Sequence, residues 1–178
     1  MELKDKRVDK ILLQQGYKDA EVFYGPISIW LITFVGYLLA PALGLLIGLI
    51  TNPWILLLLP YLFIAYLFNA RHSSSLAIAA GKCCIINPNW PFRKFIAIDL
   101  KAIESAGVKK YHKKWMVVFA FFGSNYIEIK TDEGVQRFYC ANLEADAYDE
   151  NMTEKTIEDF LYALERAGIP VQMNLEYN

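Results

Sequence analysis

Ile27-Ser-Ile-Trp-Leu-Ile-Thr-Phe-Val-Gly-Tyr-Leu-Leu-Ala-Pro-Ala-Leu-Gly-Leu-Leu-Ile-Gly-Leu-Ile50, then Thr51-Asn-Pro-Trp54, then Ile55-Leu-Leu-Leu-Leu-Pro-Tyr-Leu-Phe-Ile-Ala-Tyr-Leu-Phe-Asn-Ala70, decides how the chain is understood. From Val22 to Ala70 there is no Lys, Arg, Asp or Glu. A bilayer core is about 30 Å thick and needs roughly 20 apolar residues of helix to cross it. The first run meets that length; the second is short, but reaches the minimum if it starts at Pro53 and ends at Asn69. The expectation is a membrane α-helical hairpin over residues 26–70, between an amphipathic segment (1–25) and a folded domain (71–178).

Flanking charge orients the hairpin. Lys4, Lys6, Arg7, Lys10 and Lys18 precede it, Arg71, Lys82, Arg93 and Lys94 follow it, and the connecting turn has no charge. Positive residues stay inside, so a multi-pass protein of the inner (plasma) membrane is expected, with both termini cytoplasmic. Tyr24 and Trp30 stand where an interfacial aromatic belt would sit. Gly36, Ala40, Gly44 and Gly48 recur at every fourth position. Such a small-residue stripe lets helices approach closely, either the second helix of the hairpin or another copy in a homo-oligomer. No charged residue lines either span, which argues against a transporter or pump. The mixed charges at Glu2, Lys4, Asp5, Lys6, Arg7, Asp9 and Lys10, and the length of the run, argue against a cleaved signal peptide.

The chain has 178 residues and a net charge of −1, which fits one small folded unit beside the hairpin. Cys83 and Cys84 are adjacent and Cys140 is distant. That spacing suits neither a metal knuckle nor an easy disulfide, so reduced, buried thiols are expected. Near the start, Val8, Ile11 and Leu12 form an apolar stripe that Gly16 ends. This short helix either lies on a membrane or partner, or packs on its own domain.

Beyond His72-Ser-Ser-Ser75 the pattern changes to about seven short strands. They are Leu76–Ala80, Cys83–Asn87, Phe92–Ile98, Ala106–Tyr111, Trp115–Phe122, Asn125–Thr131 and Val135–Cys140. Turn residues separate them, at Gly81-Lys82, Asn87-Pro-Asn89, Gly123-Ser124 and Asp132-Glu-Gly134. A helix follows, with Asn151 or Thr153 as cap, an apolar stripe of Ile157, Phe160, Leu161 and Leu164, and a stop at Gly168 and Pro170. Val171–Asn178 adds an extended tail.

Strands closed by one helix, with Ile98-Asp-Leu-Lys-Ala-Ile-Glu-Ser105, Ile127-Glu-Ile-Lys-Thr-Asp-Glu-Gly134 and Thr156-Ile-Glu-Asp-Phe-Leu-Tyr-Ala-Leu-Glu-Arg-Ala-Gly-Ile169, resemble a known pattern. It is that of bacterial pleckstrin-homology-like (PH-like) membrane proteins, whose domain follows a two-helix transmembrane hairpin. The resemblance implies an α+β domain: a PH-like antiparallel β-barrel or sandwich capped by one C-terminal helix. It also implies use as a membrane-tethered interaction module.

Lys109, Lys110, His112, Lys113 and Lys114 surround Tyr111, and Trp115 follows. Lys109, Lys110, Lys113, Lys114 and Trp115 form the candidate site for a partner or for anionic headgroups, where each Lys is worth on the order of 1 kcal/mol. The absence of a net basic excess speaks against nucleic acid. Glu144, Asp146, Asp149 and Glu150 lack the central Gly of a calcium loop. Trp90 and Phe92, in Asn89-Trp-Pro-Phe92, either cap the sheet or dip into an interface. No phosphate cradle, HExxH or nucleophile elbow is present, and Cys84 with His112 is a weak catalytic pair. No metal, cofactor or enzymatic activity is expected. The function expected is a scaffold that docks a protein partner at the membrane. A subunit of an oligomeric complex or pore, and an immunity-type protein against a membrane-active toxin, stay open beside it.

Overall fold

A computed structural model describes residues 5–25, 42, 58–110, 125–140, 143 and 155–177. Helix α1 (Lys6–Gln14) begins at Asp5, whose carboxylate accepts from the Arg7 N–H at 3.0 Å. It ends where Gly16 takes φ 88° and the Tyr17 N–H donates to the Leu12 carbonyl at 2.9 Å. A left-handed residue here lets the chain turn back and satisfy an orphan carbonyl. The short strand β1 (Glu21–Phe23) follows. Helix α2 (Leu58–His72) then leads into β2 (Ser75–Ala79), β3 (Lys82–Asn87) and β4 (Lys94–Asp99). These strands make one antiparallel sheet in the order β1-β2-β3-β4.

The second sheet contains β5 (Ile103–Lys110), β6 (Asn125–Thr131), β7 (Gly134–Tyr139) and β8 (Val171–Tyr177), ordered β7-β6-β5-β8. Helix α3 (Ile157–Arg166) comes between β7 and β8, and β8 runs parallel to β5. Thr156 caps α3 in a reciprocal box: its hydroxyl accepts from the Asp159 N–H, and the Asp159 carboxylate accepts from the Thr156 N–H at 2.8 Å.

Strand periodicity explains the layers. On β2 and β3, Leu76, Cys83 and Ile85 face the main core, which also holds Val108, Ile127, Ile129, Phe160 and Leu164. Their neighbours Ala77, Cys84 and Ile86 face the other way, beneath Val8, Ile11 and Leu12 of α1. Strands β2 and β3 are therefore buried on both faces and are nearly continuous apolar runs, whereas the edge strand β4 is exposed or half-buried throughout. The amphipathic face of α1 lies on its own domain.

Two expectations are corrected. Among the described residues, no helix is long and apolar enough to cross a membrane. Helix α2, where the second span was expected, is described over the 15 residues Leu58–His72, about 22 Å of helix against a bilayer core of about 30 Å. Its last turn carries Asn69 and Ala70 buried against the strands and then Arg71. The transmembrane hairpin, and with it the multi-pass inner-membrane placement, is not upheld. The first run, with Gly36, Ala40, Gly44 and Gly48, lies outside the described residues. The PH-like barrel is also not upheld. Among the described residues the strands form two four-stranded sheets, joined by a single bridge between Ser73 and Cys140, with no closed barrel, and the chain continues past the helix into a strand parallel to β5.

Candidate functional site

The site is built around the turn from β3 to β4. Asn87, at the end of β3, is buried at 5% exposure, and Asn89 at 2%. The Asn87 amide donates to the Ala70 carbonyl at 2.8 Å and the Arg71 carbonyl at 3.3 Å, satisfying the open C-terminal end of α2. Its Oδ1 accepts from the Asn89 backbone at 3.0 Å and the Asn89 side chain at 2.9 Å. The Asn89 amide also reaches the Ser73 carbonyl at 3.3 Å. A short side chain that bonds the backbone two residues on forms a local turn, and here that turn is locked to a helix end.

The turn holds up a hydrophobic residue. Trp90 is 72% exposed, and its carbonyl accepts from the Tyr66 hydroxyl at 2.8 Å. The Trp90–Pro91 peptide is cis. Behind it lies a cleft of about 460 Å³ between β3 and β4 on one side and β7 on the other. Ile85, Ile96, Phe92 and Phe138 supply apolar lining, Ser74, Asn87 and Tyr139 polar atoms, and Arg71, Arg93, Lys94 and Arg137 positive charge. Among the described residues that line it there is no carboxylate, cysteine or histidine. Arg137 is oriented from outside it by Glu128, which accepts from its Nε at 3.0 Å. Among the described residues Arg71, Arg93 and Lys94 have no ion pair.

Of the lysine cluster expected as a site, Lys109 lies on β5 and donates to Glu128 at 3.0 Å. Lys109, and then Arg137, hold the Glu128 carboxyl below its usual range. Lys109 thus belongs to a ladder across β5, β6 and β7 and does not line the cleft. Lys110 closes β5 opposite Asn125. Lys113, Lys114 and Trp115, with His112, lie outside the described residues, as do Glu144, Asp146, Asp149 and Glu150. The cleft cations were missed because Arg71, Arg93 and Lys94 were weighed as topology charges. Their signal was Trp90-Pro-Phe-Arg-Lys94, an aromatic turn running into two cations.

The thiols are poorly placed for nucleophilic work. Burial pushes Cys83 up to about 12 and raises Cys140 further. Burial also raises Cys84, against the opposing pull of Lys82. A thiolate is the reactive form, so these groups stay protonated near neutral pH. Among the described residues no His, Cys, Asp and Glu group could hold a metal ion. No family model, curated protein or solved structure matches this chain.

Proposed function

We propose that this chain is a protein-docking module whose partner seats on the Trp90 turn and the cleft behind it. The observation that carries this is Trp90, held 72% exposed by a buried asparagine pair, beside Arg71 and Arg93, which have no ion pair among the described residues. Trp and Arg are the residue types that dominate interface energetics, above all where the free surface is already ordered. The apolar lining gives such a partner area to bury.

A photo-crosslinking residue in place of Trp90 tests this, with the same residue at Glu133, exposed on the β6–β7 turn, as control. A discrete protein adduct from position 90, absent from position 133, is expected in cells expressing the chain. No adduct at position 90, or the same adducts at both positions, would overturn it.

A further inference from the structure

A second hollow adjoins the cleft. It has a volume of about 310 Å³ and is lined by Arg7, Lys10, Ile11 and Gln14 of α1, with Pro88 and Arg93. Arg93 therefore lines both. Among the described residues the two linings together hold Arg7, Lys10, Arg71, Arg93, Lys94 and Arg137 and no carboxylate. The chain as a whole has 18 Lys and Arg against 19 Asp and Glu. A positive surface of this size on a nearly neutral protein is segregation of charge, which attracts and orients an oppositely charged ligand.

We infer that the two hollows together bind an extended acidic segment of a protein, laid across Arg93 from the cleft to α1. This rests on the docking reading and names the chemistry of the partner. Two hollows joined at one side chain suit an elongated ligand better than a compact anion. Their apolar and amide lining, Ile11, Gln14 and Pro88 in one and Phe92, Ile96 and Asn87 in the other, suits a polypeptide with side chains between its charges. Arg7 and Arg137 are each oriented by a carboxylate outside the linings, Asp5 at 2.6 Å and Glu128 at 3.0 Å. Lys10, Arg71, Arg93 and Lys94 have no ion pair among the described residues, so their charge is available. The inference also gives α1 a role: its apolar face anchors it to the sheet, and its basic face extends the docking surface.

The test uses the full chain and fluorescence anisotropy with a Glu-rich peptide long enough for both hollows, a truncated peptide that fills one, and a Gln counterpart. The long acidic peptide should bind, weaken with added salt, and outcompete its Gln counterpart. Arg93→Glu should weaken it about tenfold, and Lys10→Glu and Lys94→Glu each about threefold. All three side chains are exposed, so unchanged melting curves will confirm intact folding. The truncated peptide should respond to Arg93→Glu but to only one of the other two. Equal binding of the Gln peptide, or silence of Lys10→Glu with the long peptide, would overturn the inference. So would displacement of the acidic peptide by inorganic phosphate or single-stranded DNA at matched charge, which would assign the surface to phosphates. An adduct at position 90 that survives Arg93→Glu would leave docking standing and remove the acidic segment. Peptide binding with no adduct at position 90 would do the reverse.

Discussion

His72 shows how one side chain ties the helix to the sheets. Its ring lies 4.4 Å from Phe68 and 4.7 Å from Tyr139, edge-on to the latter. Its Nδ1 is 2.7 Å from the Phe68 carbonyl. Burial lowers its pKa from the ordinary value of 6.5; the Phe68 carbonyl opposes this and Arg71 adds to it. The folded chain thus holds the neutral ring, while the unfolded chain takes up a proton near 6.5. Stability rises with pH wherever the unfolded state binds more protons. His72 therefore contributes fully above 6.5, and that contribution is lost as pH falls through 6.5 toward the lower folded value. Carboxylates such as Glu128, whose pKa is depressed, act in a separate, more acidic window. The urea midpoint should therefore drop between about pH 7.5 and pH 5.5. In His72→Gln that slope should flatten, whatever the variant's absolute stability. A slope unchanged in His72→Gln would place the titration elsewhere.

The β2–β3 hairpin turns through Ala80 and Gly81, with φ 48° and 74°. Two successive left-handed residues make the hairpin turn whose twist matches the strands. Gly81 adopts this freely, but alanine's Cβ crowds the following carbonyl, at a cost of roughly 1–2 kcal/mol. Ala80→Asn should stabilise the fold by about 0.5–1 kcal/mol, read as a higher melting temperature with an unchanged circular dichroism spectrum. A lower melting temperature would contradict the turn geometry. At this scale much was legible. Asn125–Thr131 stands as expected, because Ile127 and Ile129 alternate with Glu128 and Lys130. The stripe Ile157, Phe160, Leu161 and Leu164 is buried on α3 as its spacing implies. The cap was misplaced at Asn151 or Thr153, since the box from Thr156 closes on Asp159, one methylene shorter than the usual Glu. The parallel pairing of β8 was not legible, because it depends on where α3 returns the chain. There Gly107 meets the β8 backbone: a Cβ on it would come within 3.0 Å of the Gln172 carbonyl oxygen.

Across the whole molecule, β1 meets α3 and the residue that leads into it, far apart in sequence. Glu21 on β1 accepts from Lys155 at 2.9 Å and lies 3.8 Å from Arg166, while Phe23 packs edge-on against Phe160 at 5.3 Å. Hydropathy alone could not show this, since a run of apolar residues has the same signature whether lipid or a second layer of protein covers it. The basic surface was equally hidden, because its cations come from α1, α2, the β3–β4 turn, β4 and β7 and meet only after folding. The outer layer has a direct chemical reporter in Cys84, buried with Ala77 and Ile86 under α1. Burial raises its pKa, and the smaller pull of Lys82 opposes that. Leu12, 2% exposed, is the contact to break. A carboxylate there would be buried without a partner, so Leu12→Asp should detach α1 and cost at least about 2–5 kcal/mol if the sheets stay folded. In the native chain all three buried thiols should be slow toward a disulfide reagent at mildly alkaline pH. In Leu12→Asp one thiol should become fast, assisted by Lys82, and the fast phase should vanish when Cys84→Ser is added. Cys83 and Cys140 sit in the other core, between the sheets, and should stay protected. If all three thiols react together, α1 is not a separable layer and its loss unfolds both sheets. If none does, the helix is not what covers Cys84.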